Sequence, residues 1–166
     1  MNSSSALLAS RRSFSKKAAG HPYLKVRLDD RTPAILSLRY LQEAVVIPVP
    51  HLTPMPNLPP YLLGLIERRS RVLWAIDLPQ LLQFPAWAFK AQNYNTVLVR
   101  VGGVAAGLVV PEIEGMVRLS NEQLSPLPAS ASPEIAPYAR GCVGHPERLW
   151  VLDVSAILHS PLLHGT

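Results

Sequence analysis

The sequence predicts an all-β fold built from an internal duplication, and three features predict it. Residues 60–82, PYLLGLIERRSRVLWAIDLPQLL, return at residues 137–158 as PYARGCVGHPERLWVLDVSAIL. Seventeen prolines among 166 residues, about twice the usual share, interrupt the chain too often for long helices. The apolar residues fall in short runs or in strict alternation, the period of strands whose side chains point to opposite faces in turn.

The duplication extends beyond its best-matched part. Pro60-Tyr61 matches Pro137-Tyr138, Gly64 matches Gly141, Trp74 matches Trp150 and Asp77 matches Asp153. Upstream, LTPMP at 52–56 pairs with LSPLP at 124–128, and VRLDD at 26–30 with VRVGG at 99–103. Matches that all fall in the same order describe a tandem repeat of a unit of about sixty residues. Residues 1–20 form a basic, Ser-rich tail. Residues 21–166 form one domain, with repeat 1 at 23–82, a linker at 83–95 and repeat 2 at 96–158.

Each repeat reads as about five short strands. In residues 23–28, Leu24, Val26 and Leu28 alternate with Lys25 and Arg27, which predicts a half-buried strand. Asp29-Asp30-Arg31 turns the chain and residues 34–38 return it, with Pro33 at the strand start, where a missing N–H is tolerated. Residues 41–49 are a third apolar run. Residues 51–60, with four prolines, form a stiff extended connector. Residues 61–66 are expected as a helical turn leading into a strand, 68–71 as a polar hairpin tip, and 72–76 as a strand apolar on both faces and therefore buried on both. Asp77 follows that strand and Asp153 its copy, and each is placed to cap a helix start. In the linker, Pro85, Trp87 and Phe89 are expected to pack on the body. Repeat 2 follows the same plan, with a Gly102-Gly103 hairpin turn, a third strand at 113–119 and a Pro-rich excursion at 120–137. The expected architecture is two small barrels around a common core, each repeat closing one and covering the other.

Composition narrows the function. Apolar residues make up 48% and mean hydropathy is +0.17, enough for a packed core. No apolar run approaches the roughly 18 residues that cross a bilayer. Cys142 is the only cysteine, so no intrachain disulfide forms. Arg11, Arg12, Lys16 and Lys17 supply most of the net charge of +5, while from His21 onward twelve Lys and Arg face eleven Asp and Glu. A nearly neutral folded part gives no electrostatic case for nucleic-acid binding. The tail lacks the apolar segment of a secretory signal and reads as disordered, although its composition is also that of an organellar transit peptide.

Chemistry-bearing constellations are missing. The sequence has no G-x-S-x-G elbow, no phosphate-binding loop and no H-E-x-x-H. Cys142 and His145 offer too few ligands for a structural zinc, and no cofactor is implied. The conspicuous polar feature is Glu67-Arg68-Arg69-Ser70-Arg71 at the hairpin tip of repeat 1, which repeat 2 replaces with Gly144-His145-Pro146-Glu147-Arg148. Two copies that began equal have kept their core positions and diverged here. Gly64, Leu65, Ile66, Arg68, Arg69 and Arg71 are thus the candidate partner-binding residues, an apolar strand rimmed by arginine. An ordinary solvated turn is the competing reading. A small-barrel nucleic-acid-binding protein, using the same tip and the basic tail, is the alternative function, although no aromatic platform accompanies the arginines.

Residues 64–78, GLIERRSRVLWAIDL, resemble the signature G-L-I-N-L-R-G-x-V-x-P-V-I-D-L of CheW-like domains. Residues 41–44, LQEA, resemble that family's V-x-E-V segment, and residues 107–110, GLVV, its G-L-x-V-D segment. The resemblance runs from about Tyr23 to Leu158. It implies two five-stranded Src-homology-like barrels around a shared core, with short helices. It also implies a non-enzymatic adaptor between a methyl-accepting chemoreceptor-type protein and a CheA-like histidine kinase, cytoplasmic and at membrane-associated receptor arrays. The matching arginine, Arg69, lies on the family's partner-binding side. Glu67, Ser70, Trp74 and Pro111 stand where the pattern has Asn, Gly, Pro and Asp, which marks a divergent member from chemotaxis, phototaxis or pilus-motility signalling.

Overall fold

The computed structural model describes residues 20–87, 91–144 and 147–164. Repeat 1 supplies β1 (His21–Arg27), β2 (Pro33–Ser37), β3 (Leu41–Pro48), β4 (Leu62–Arg68) and β5 (Arg71–Asp77). Repeat 2 supplies β6 (Asn93–Val101), β7 (Val104–Val110), β8 (Glu112–Leu119), β9 (Ala139–Val143) and β10 (Leu149–Leu152). Helices α1 (Leu78–Leu81) and α2 (Val154–Leu158) each follow the last strand of a repeat, and α3 (Pro161–His164) comes after α2. The chain is all-β with two five-stranded sheets, as the duplication predicted.

The sheets do not follow the repeats. Sheet A has the order β8-β1-β2-β10-β9 and sheet B the order β3-β6-β7-β5-β4. Each sheet therefore takes strands from both halves, correcting the expectation that each repeat closes its own barrel. The alternating pattern fixes which side chains share a face and is silent on which strand lies alongside. By exchanging strands, the hairpins β1–β2 and β6–β7 acquire hydrogen-bonding partners on both edges.

Within this exchange the duplication is visible rung by rung. Parallel pairing sets Leu36 opposite Leu152 in one sheet and Leu108 opposite Ile76 in the other. The β1–β8 ladder slips at Glu114 and the β3–β6 ladder at Gln42, so the two bulge residues are equivalent. Thr53 bridges Leu65 and Ser125 bridges Cys142. The Asp77 and Asp153 amides donate to the Tyr61 and Tyr138 carbonyls, both at 2.7 Å. At Gly64 an added Cβ would lie 2.3 Å from the Thr53 carbonyl oxygen, and at Gly141 one would lie 2.4 Å from that of Ser125. Only glycine allows these two backbone approaches.

Three apolar clusters account for the strand patterns. Leu24 and Val26 of β1 enter the shared core with Ile76, Val97, Val99, Leu108, Leu152 and the buried faces of α1 and α2. On the other parity Tyr23 joins Ile35, Val143 and Val151 inside sheet A. The same division in sheet B puts Ile47, Ile66, Tyr94, Leu98 and Val109 inside. The predicted caps are present: Asp77 accepts from the Gln80 amide at 3.2 Å and Asp153 from that of Ala156 at 3.1 Å.

Local expectations fared unevenly. Residues 60–61 form a simple turn rather than a helical one, and β4 begins at Leu62. β5 is buried on both faces only from Ala75 onward, because Val72 and Trp74 are 64% and 40% exposed. In the linker, Trp87 packs on the sheet B cluster and its indole N–H donates to Asp77 at 3.0 Å, whereas Pro85 is exposed. Phe89 and His145 lie outside the described residues.

Candidate partner-binding site

The candidate residues lie on the arm formed by β4 and β5. In sheet A the equivalent ladder stops at Val143 opposite Leu149, the counterpart of Ile66 opposite Leu73. Repeat 1 adds Glu67 opposite Val72 and Arg68 opposite Arg71. Arg69 and Ser70 close the arm at φ 53° and 64°, the two consecutive left-handed residues of a tight hairpin turn. The hairpin thus survives the loss of the family's glycine.

The six candidates divide by role. Gly64 is buried, and its φ of 145° and contact with Thr53 make it structural. Ile66, a candidate partner-binding residue by sequence, is 2% exposed and belongs to the sheet B core, so it is not available to a partner. Leu65 is half-buried on the outer face, directly opposite Trp74. The apolar ledge is therefore Leu65, Trp74 and Val72. Sequence reasoning missed the last two because it assigned their strand to a fully covered position. The signal available was the Trp in place of the family's Pro.

The arginines also divide. Arg68 donates from both Nε and Nη2 to Glu43, the Nε bond measuring 3.1 Å. Glu43 lies on β3 and Arg68 on β4, the two edges of sheet B, so this forked pair clasps the curled sheet at its open end. The hydrogen bonds from Arg68 hold the Glu43 carboxyl below its ordinary range, outweighing its partial desolvation. Arg69 is exposed, its nearest carboxylate atom being Glu43 Oε2 at 3.8 Å, a contact of little energetic weight. Arg71 is exposed at the start of β5.

These side chains line a cleft of about 390 Å³ at the mouth of sheet B, together with Gln42, Leu73, Leu98, Ala105 and a residue absent from the sequence-based set, Arg100. Arg100 is on β6, opposite Ala105. Its Nε is buried and has no hydrogen-bond partner, unlike every other buried side-chain nitrogen or oxygen among the described residues. The pairing of Arg27 with Arg100 in the repeat alignment was the clue that could have found it. The equivalent mouth of sheet A is neutralised internally. Lys25 is 3.1 Å from Glu114 and is also bonded to Glu147, while Arg27 Nε donates to Glu114. Burial would raise the Glu114 carboxyl, but hydrogen bonds from Lys25 and Arg27 outweigh it and hold it below its ordinary range.

Among the described residues no three His, Cys, Asp or Glu side chains are grouped to hold a metal ion, and no helix is long and apolar enough to cross a membrane. Cys142 is buried, its Sγ 3.8 Å from the Pro126 carbonyl oxygen. Asp77, the most buried carboxylate, is pushed up by burial against the opposing hydrogen bonds of Gln80 and Trp87. It caps α1 and accepts from the Trp87 indole.

Comparison with known proteins agrees with this fold. The model of the CheW-like domain family matches residues 22–162. The chemotaxis protein CheW of Rhizobium meliloti (strain 1021) is 32% identical over 89 residues, 54% of this chain and 57% of that protein. The chain thus matches little more than half the length of this relative. The crystal structure of the scaffolding protein TtCheW from Thermoanaerobacter tengcongensis superposes with a TM-score of 0.71, at 17% identity, over 81% of this chain and 89% of that one. With a family match across nearly all of the described residues, two interleaved five-stranded sheets and a shared core, this chain belongs to the CheW-like domain family.

Proposed function

We propose that this chain is a non-enzymatic adaptor that couples a chemoreceptor-type sensor to a CheA-like histidine kinase in chemotaxis, phototaxis or pilus-motility signalling. It works in the cytoplasm at membrane-associated receptor arrays. The family match over residues 22–162 carries this reading. The names of its relatives, a chemotaxis protein and a scaffolding protein, support it. The arm of repeat 1 is the partner surface. Leu65, Val72 and Trp74 form an exposed apolar ledge, and Arg68, Arg69 and Arg71 rim its end. Aromatic and arginine side chains are the residue types that dominate protein interfaces, with a few central anchors carrying most of the energy.

Coupling requires two partners at once, and that is the test. The chain is mixed with the regulatory domain of a CheA-like kinase and the signalling tip of a chemoreceptor from the same organism, then run by size-exclusion chromatography. A complex containing all three components is expected, with Trp74→Asp reducing affinity for one of the two partners by about tenfold or more. Binding of each partner only in the absence of the other would overturn the adaptor reading.

A further inference from the structure

The two sheet mouths share one framework and differ in charge, balanced at sheet A and net cationic at sheet B. At sheet A, Arg27 Nε donates to Glu114, the bulge residue of β8. At sheet B the equivalent arginine is Arg100 and the equivalent bulge residue is Gln42, which cannot accept with a full negative charge. Arg100 Nε is accordingly buried without a partner. A second substitution acts in the same direction. The loop position that holds Glu147, the other carboxylate engaging Lys25, corresponds to Arg71. Four arginines, at 68, 69, 71 and 100, therefore share the sheet B cleft with the single carboxylate of Glu43, which Arg68 occupies.

An unpartnered buried N–H leaves its desolvation penalty unrepaid, and clustered guanidinium groups repel one another. Both are relieved by an incoming oxyanion. We propose that the mouth of sheet B, with Arg100 at its base and Arg69 and Arg71 at its rim, binds the carboxylates of an acidic protein segment. The segment brings in trans what Glu114 and Glu147 supply in cis at sheet A. Carboxylate is the favoured chemistry because the structure already shows it twice in this setting, forked on Arg68 at one mouth and bonded by Lys25 and Arg27 at the other. A volume of about 390 Å³ admits acidic side chains. The inference rests on the adaptor reading for its setting and gives the partner's chemistry at that site.

Hexaglutamate titrated into the full chain by isothermal calorimetry tests this, with Gln42→Glu as the decisive variant. Restoring the bulge carboxylate gives Arg100 the partner that Arg27 has. Gln42→Glu is therefore expected to raise the melting temperature while weakening hexaglutamate binding by about tenfold or more. Arg100→Gln is expected to weaken binding similarly with the fold retained. A loss of binding accompanied by higher stability cannot be blamed on unfolding. The proposal is overturned if hexaglutamate fails to bind the wild-type chain saturably, or binds Gln42→Glu as tightly. It is also overturned if a ten-residue oligothymidine binds more tightly than hexaglutamate, since a nucleic-acid groove would then be the better description. Ternary-complex formation that survives intact in Gln42→Glu would remove the acidic-segment assignment while leaving the adaptor and its Leu65–Trp74 ledge in place.

Discussion

Sheets A and B are close copies in their hydrogen bonding and unlike at their ends. Bulges, isolated bridges, helix caps and glycine contacts recur at equivalent positions in both. The differences are concentrated where no core packing is at stake. One mouth balances Lys25 and Arg27 with Glu114 and Glu147, and the other gathers four arginines around one glutamate. One arm stops at Val143 and Leu149, and the other runs two rungs further to display Val72, Arg69 and Arg71. Positions that pack or bond in both copies are held by the fold, because changing them costs stability. Positions freed from that duty are the ones at which the two halves differ.

The largest expected effect tests whether the two halves are one framework. Residues 21–90 alone supply β3, β4 and β5 but lack β6 and β7, which lie between β3 and β5 in sheet B. They equally lack both neighbours of the β1–β2 hairpin. This fragment is expected to show no near-ultraviolet circular dichroism and no cooperative melt. A soluble half-molecule with a sharp transition would break the account of exchanged strands.

Next in size is a matched pair of substitutions in the equivalent backbone contacts. Gly64→Ala and Gly141→Ala each drive a methyl group against a carbonyl oxygen, and each is expected to cost about 3 kcal/mol in urea melts, the upper range for overpacking. Gly64→Ala is the more damaging, because its φ of 145° adds backbone strain. If one variant unfolds the protein and the other is neutral, the two contacts do not play the same part.

The smallest effect is a matched contrast in acid. Glu114 has a lowered pKa in the folded protein, so its contribution is fully present above about 4.5 and is lost as pH falls through the folded value. Asp77 has a raised pKa, so the folded state holds its proton more tightly and stability declines as pH rises from 3.8 through the folded value. Melting temperatures between pH 3 and 6 are expected to fall less steeply on acidification in Glu114→Gln and more steeply in Asp77→Asn. Equal slopes in both variants would mean that neither environment differs from water.

The sequence carried the repeated elements well and their partners poorly. Repetition aligned Gly64 with Gly141 and Asp77 with Asp153, and these pairs share contacts to within a few tenths of an ångström. Period-two alternation assigned Leu24, Val26 and Leu28 to one face and Lys25 and Arg27 to the other. Strand order was hidden because apolar alternation fits any neighbour of suitable length. The exposure of Val72 and Trp74 was hidden because an apolar run reads alike whether a partner within the fold or one outside it is to cover it. Arg100 was hidden because a cation in an alternating strand looks like a solvated side chain until the bulge residue opposite is known to be Gln42.

The most direct test of a partner surface on the repeat 1 arm compares charge reversal at two arginines. Arg69 is exposed at the arm's tip and makes only a distant contact with Glu43, so Arg69→Glu is expected to leave the melting temperature nearly unchanged. Arg148, in the corresponding turn of repeat 2, lies over the Trp150 ring at 5.6 Å and serves as the control. Affinity for the kinase regulatory domain or the receptor tip, measured by calorimetry, is expected to fall about thirtyfold in Arg69→Glu and less than threefold in Arg148→Glu. Equal losses at the two positions, or a melting drop that accounts for the loss at Arg69, would contradict the assignment.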